Sequence, residues 1–219
     1  MLTKDYIMRM IDSLVKMLAR LVFLKQGKDF EEAFKEIDKI TKELFGLDRL
    51  FINSISDSQL IKMISTSETL LAPNCYLLGV LFKEEAEIYK LKNDSEKSFE
   101  MYERSLNLFI EGLKNSPILI EPEHLKKINQ TAAKLEDESI NIGTEESLFF
   151  YYEYTGQFDK AEDLIFDLID YDSKYLKDGI KYCERLLEKP DDALIKGNLP
   201  REEVKESLAD LYEKYRNTN

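Results

Sequence analysis

The sequence predicts an all-α protein built of stacked helical hairpins, on three observations. A short motif recurs three times, as Lys28-Asp29-Phe30-Glu31-Glu32-Ala33, Asn93-Asp94-Ser95-Glu96-Lys97-Ser98 and Gly156-Gln157-Phe158-Asp159-Lys160-Ala161. Apolar residues at helical spacing flank the later copies, with Phe82, Ala86 and Tyr89 or Leu148 and Tyr152 upstream, and Tyr102, Leu106 and Phe109 or Ile165, Leu168 and Ile169 downstream. Strand-like alternation is weak, and glycine and proline are scarce enough to leave no flexible linker. Two apolar stripes joined by a short polar turn make a hairpin, and a hairpin buries its apolar face only by stacking on neighbours. At 219 residues and 43% hydrophobic content the chain can bury a real core, so one elongated domain over residues 1–219 is expected.

The first helix carries its polar residues Asp5, Arg9, Asp12, Ser13, Lys16 and Arg20 on only about a 100° stripe. The apolar remainder needs cover on more than one side, whereas a terminal helix of a stack has a neighbour on one side. Ile7, Met10, Ile11, Leu14 and Leu18 are therefore expected at a homodimer contact. Two other covers stay open: a helix of the same chain, or a membrane surface, the latter disfavoured by the mixed signs of the polar stripe. In the first turn motif Asp29 and Glu32 have the spacing of an N-cap and its reciprocal partner, and Ser56 with Gln59 repeats it. The stretch from Ser56 to Leu71 and the helix from Pro122 to Glu136 are candidate degenerate units, each too short for a full hairpin. Successive small residues Ala33, Ser98 and Ala161 lie about 64 apart, close to twice a repeat of roughly 34 residues. Pro73, Pro117, Pro122, Pro190 and Pro200 are read as helix boundaries, and Ile118-Leu119-Ile120 as an extended connector. Val204, Leu208, Leu211, Tyr212 and Tyr215 form one apolar stripe on a last helix whose other face is polar, the pattern of a cap that ends a stack.

Residues 142–175 resemble the tetratricopeptide repeat, with Leu148, Tyr152, Gly156, Phe158 and Ala161 at the matching positions. Glu145 replaces that family's tryptophan and Ser173 its proline, while the middle copy has Asn93 and Ser98 for glycine and alanine. The opening Asp5-Tyr6-Ile7-Met8-Arg9-Met10-Ile11, the Phe30–Ala33 turn and Gly46-Leu47-Asp48 are similar to the start of an uncharacterised bacterial family of tetratricopeptide-like proteins. The resemblance implies a right-handed α-α superhelix whose first helices line a concave groove. It places Glu146, Phe150, Glu153 and Tyr154 on that groove, and Lys83, Glu87, Lys90 and Leu91 on the corresponding face of the middle repeat. Acids interleaved with aromatics suit a basic or apolar peptide; equally, Phe150 and Tyr154 could pack on the next hairpin. Glu87 stands where a lysine-and-asparagine clamp for acidic C-termini needs its asparagine, so that specific role is not implied.

The formal charge of −12 lies almost wholly beyond residue 50, and such an acidic surface repels phosphate backbones, which argues against nucleic acid. Cys75 and Cys183 fit no metal or redox spacing, and no apolar run is long enough to span a membrane, so a cytoplasmic protein is expected. The lone histidine, His124, reads as a surface or capping residue, and Asp163, Asp167 and Asp170 as a solvated acidic face. No phosphate loop, dinucleotide fingerprint, nucleophile elbow or zinc motif is present. The expectation is a protein- or peptide-binding scaffold, not an enzyme, with no cofactor and no metal. A purely structural homo-oligomer is the alternative and a metal-dependent sensor or enzyme the third reading; fold analogy does not name the ligand.

Overall fold

The computed structural model describes residues 2–65, 68–115, 122–135 and 139–218, among which there are twelve α-helices and no strand. The chain divides into two compact units, residues 1–139 and 140–219. The extended connector expected at Ile118–Ile120 and Pro117 lie outside the described residues, and the helix expected to run from Pro122 to Glu136 ends at Ala132.

The first unit contains α1 (Leu2–Gln26), α2 (Phe30–Phe45), α3 (Arg49–Ser54), α4 (Asp57–Ile64), α5 (Glu68–Leu91), α6 (Ser95–Asn115) and α7 (Pro122–Ala132). Helices α5 and α6 form its central hairpin, and their backbones approach closely. A Cβ on Gly79 would stand 2.7 Å from the Phe109 ring, and the Ser98 and Ser105 hydroxyls donate across the interface to the carbonyls of Ala86 and Gly79 at 2.9 and 2.7 Å. Serine thus holds the small-residue position of the middle copy because its hydroxyl has an acceptor in the facing helix. The Ser56–Gln59 capping box forms as expected, but α3 and α4 are six and eight residues long and make no full hairpin. Pro73 lies inside α5 rather than at its boundary. One missing N–H near a helix start removes a single bond of a long, well-packed helix, which the packing of α5 on α6 outweighs.

The second unit contains α8 (Ile142–Thr155), α9 (Phe158–Tyr171), a 3-10 turn (Ser173–Tyr175), α10 (Leu176–Leu187), α11 (Asp191–Lys196) and α12 (Arg201–Thr218). Its core joins Phe158, Ile165 and Leu168 of α9 to Ile180, Tyr182 and Leu186 of α10 and to Val204 and Leu211 of α12. The expected stripe of α12 faces this core through Val204 and Leu211, with Leu208 and Tyr215 half-buried, whereas Tyr212 stays exposed and donates to Glu184 at 2.8 Å.

The repeated motif is a repeated way of ending a helix. Its first residue is left-handed in every copy, with φ of 57° at Lys28, 59° at Asn93 and 76° at Gly156. The next N–H donates five residues back, from Asp29 to Leu24, Asp94 to Tyr89 and Gln157 to Tyr152, and the left-handed residue donates three back, to Lys25, Lys90 and Glu153. This is the Schellman pattern, which satisfies carbonyls that the helix end leaves open. A fourth instance, outside the sequence motif, closes α11: Asn198 has φ 59°, its N–H donates to Ile195, and Leu199 donates to Leu194. Ala33, Ser98 and Ala161 are all buried, as close helix approach requires.

In α1 the inward stripe is Met10, Leu14, Met17, Leu21 and Leu24. Met10 and Leu14, expected at an intermolecular contact, are core residues of their own chain, and this corrects that assignment. Ile11 is exposed, Leu18 is half-buried, and the side chain of Ile7 lies outside the described residues.

Candidate functional site

Helix α8 is aromatic on several faces, and the structure sorts them. Tyr151 is fully buried and Phe149 packs edge-on against Tyr182, while Phe150 is half-buried and Tyr154 is 45% exposed. The Phe150 and Tyr154 rings stack one turn apart, 5.9 Å between centroids and 19° from parallel, which makes a flat apolar slab. The slab lines a depression of about 480 Å³ with Glu153 of the same helix, Arg185 of α10 and Lys189 just beyond it. Three of the four α8 residues expected on a groove thus share one surface. The fourth, Glu146, lines an adjoining depression of about 220 Å³ with Phe149, Tyr175 and Asp178, and Arg185 borders both.

The charges around the slab differ from the expectation of free acids between aromatics. Glu153 accepts two bonds from Arg185, from Nε and Nη2, each at 2.7 Å, and this carboxylate pushes the guanidinium pKa up. Glu146 accepts from the Tyr175 hydroxyl, a bond that raises the phenol's pKa. Both acids are therefore engaged within the unit. Lys189 is the side chain that sequence reasoning missed. Its ammonium lies 5.6 Å from the centre of the Phe158 ring, and it has no carboxylate partner among the described residues. Its signal in the sequence was only its position beside Pro190, where α10 has ended. The surface offers an apolar slab bordered by a half-buried cation.

The candidate face of the first unit is less coherent. Glu87 accepts from the Tyr102 hydroxyl at 2.6 Å, and burial together with that bond raises the phenol's pKa. Lys90 borders a depression of about 160 Å³ with Ser95, Phe99, Tyr102 and Lys134, which neither Lys83 nor Glu87 lines. Leu91 is exposed.

The remaining chemical candidates resolve individually. Burial pushes the thiols of Cys75 and Cys183 up to about 12, and both are free. His124 is half-buried, its ring edge-on to Tyr76 at 4.7 Å. Asp163, Asp167 and Asp170 are exposed along α9, and Asp170 meets Lys214 at 3.3 Å. Among the described residues no three His, Cys, Asp or Glu side chains converge as metal ligands, and no helix is long and apolar enough to cross a membrane.

No curated protein and no solved structure matches the chain. Residues 1–216 match the family model described as "Family of unknown function (DUF6483)", and the chain belongs to that family.

Proposed function

We propose that the protein is a non-catalytic scaffold that binds a segment of another protein on the α8–α10 face of its second unit, within a tetratricopeptide-like right-handed superhelix of hairpins. The observation that supports this reading is the stacked Phe150–Tyr154 slab, open to solvent beside Lys189. An aromatic ring with only a structural role packs inside, as Tyr151 of the same helix does. With Glu146 and Glu153 engaged internally, the cation left at the slab favours an apolar residue flanked by acids over the basic peptide that interleaved acids alone suggest. Binding rests on shape, ring contact and one charge, with no covalent step.

The test is fluorescence polarisation of the full chain against labelled peptides carrying one Phe or Leu between acidic residues, and against the same peptides with lysine for the acids. The acidic set binds, Tyr154→Ala and Lys189→Glu each weaken it at least about tenfold, and the basic set binds less well. Equal binding of both sets, or indifference to both substitutions, refutes the assignment of this face.

A further inference from the structure

Helix α1 carries two seams and its own unit covers one. Met10, Leu14, Met17, Leu21 and Leu24, spaced alternately by four and three, are buried. Met8, Ile11, Val15, Leu18 and Val22 repeat the alternation one-third of a turn away, and Met8, Ile11, Val15, Val22 and the neighbouring Phe23 are between 48% and 75% exposed. A run spaced in this way lies along one line of a helix and interlocks with a second helix bearing the same run.

The helix is not free to turn this second seam inward. Ser13 donates to Glu43 at 3.2 Å, and Arg20 meets Glu32 at 3.1 Å and Glu36 at 3.0 Å, which fixes one flank against α2. Lys25 bonds Glu84 of α5 at 2.7 Å on the other flank, with both side chains largely buried. The open seam begins beyond that contact.

We infer that the open seam of α1 is a self-association surface, on which Ile11, Val15, Leu18 and Val22 pack against the same residues of a second copy of this chain about a two-fold axis. Two features select a second copy. The seam is self-complementary, since an antiparallel register that sets Ile11 against Val22 and Val15 against Leu18 satisfies both copies at once. The exposed side chains present roughly 500 Å² per copy, so pairing buries about 1,000 Å², at the lower edge of what a specific interface needs. Charge also permits it. The seam itself is uncharged, and the antiparallel register sets Asp12, on its flank, near Ala19 of the second copy, with no like charge opposite. A chain of net charge −12 whose polar stripe mixes Asp12 with Lys16 and Arg9 is poorly matched to an anionic bilayer.

The experiment is sedimentation equilibrium on the full chain, its Ile11→Glu/Val15→Glu variant, a milder Val22→Ser/Phe23→Ser variant and a Lys16→Glu control, with thermal unfolding of each. The intact chain and the control sediment at twice 25.7 kDa. The seam variants weaken association at least about a hundredfold, since each change is counted twice across the axis and the acidic ones bury unpaired carboxylates. Their unfolding midpoints, extrapolated to low protein concentration, match the intact chain. A monomeric intact chain overturns the inference, as does a dimer that survives both seam variants. It is equally overturned if the seam variants lower that midpoint, which assigns the seam to a segment of the same chain, or if the intact chain is a monomer that floats with phosphatidylcholine vesicles.

Discussion

Removal of the Arg104 side chain tests whether a buried cation holds α3 and α4 on the central hairpin. Arg104 lies on α6, is 7% exposed, and makes three kinds of contact at once. Its Nε donates to Asp57 at 2.8 Å, its Nη2 donates to the carbonyls of Ile52 at 3.2 Å and Ile55 at 3.0 Å, and its guanidinium sits 4.4 Å from the centre of the Phe82 ring. Ile52 lies in the last turn of α3 and Ile55 directly follows that helix, where a short helix leaves its last carbonyls open. Arg104→Ala strips these acceptors and leaves the partly buried Asp57 carboxylate with Asn107 at 3.1 Å. Breaking a buried ion pair from one side costs about 3–5 kcal/mol, most of it from the charge and acceptors left behind. Arg104→Lys keeps the charge but cannot span an aspartate and two carbonyls together, and costs about 1–2 kcal/mol. Urea unfolding followed by circular dichroism orders the chains as intact, Lys, Ala, with an unchanged slope. A loss below about 1 kcal/mol for Arg104→Ala, within the range of ordinary surface changes, refutes the bridge.

Three further outcomes follow from the backbone and the core. Lys28→Gly raises stability by roughly 0.5 kcal/mol in the same urea assay, because a left-handed lysine is strained by about 1 kcal/mol and glycine returns part of that as chain entropy; an unchanged or lowered midpoint contradicts this. Gly79→Ala places a methyl 2.7 Å from the buried Phe109 ring and costs about 1–3 kcal/mol, since α5 and α6 must move apart, and a neutral result would mean that the ring can shift. Cys75 and Cys183, with thiols pushed up to about 12, hold almost no thiolate at mildly alkaline pH, so iodoacetamide labels them only at the rate of unfolding. Rapid labelling of either in the folded chain disproves its burial.

What the sequence made legible was the local chemistry of chain reversal. Phe30-Glu31-Glu32 and its counterparts open helices behind a left-handed residue, and both signals lie within six consecutive positions. The fourth turn, at Asn198, does not read as a copy of the motif because Leu199 and Pro200 follow the left-handed residue and Glu203 stands at the small-residue position, while the backbone closes in the same way. Arg104 and Glu85 escaped for the opposite reason. A charge inside an apolar stripe reads as a break in it, and only the fold brings Arg49 and Asn53 to Glu85 as hydrogen-bond donors. Burial raises the Glu85 carboxyl pKa even so, with Arg49 and Asn53 opposing the rise. Around the slab, α8 showed which residues are aromatic but not which acids were engaged, since Arg185 and Tyr175 approach from later in the chain.

Helix α1 shows where apolar periodicity stops being informative. When apolar residues cover most of a helix, two stripes fit the inward direction equally well, and Met10 with Leu14 cannot be ranked above Ile11 with Val15 by spacing or hydropathy. The choice is made by residues that the hydrophobic pattern treats as background. Arg20 reaches two carboxylates of α2, Ser13 a third, and Lys25 one of α5, and only one rotation of the helix satisfies all four contacts. Each pair is worth little alone where it is exposed, but together they set the azimuth, and the azimuth decides which apolar seam is core and which is left to meet another surface. Arg20→Ala with Ser13→Ala therefore lowers stability by only about 1 kcal/mol, yet loosens the distinction between the seams. Hydrogen exchange checks this directly. Amides of α1 exchange faster in that variant while those of α6 do not, and equal protection in α1 would show that apolar packing alone orients the helix.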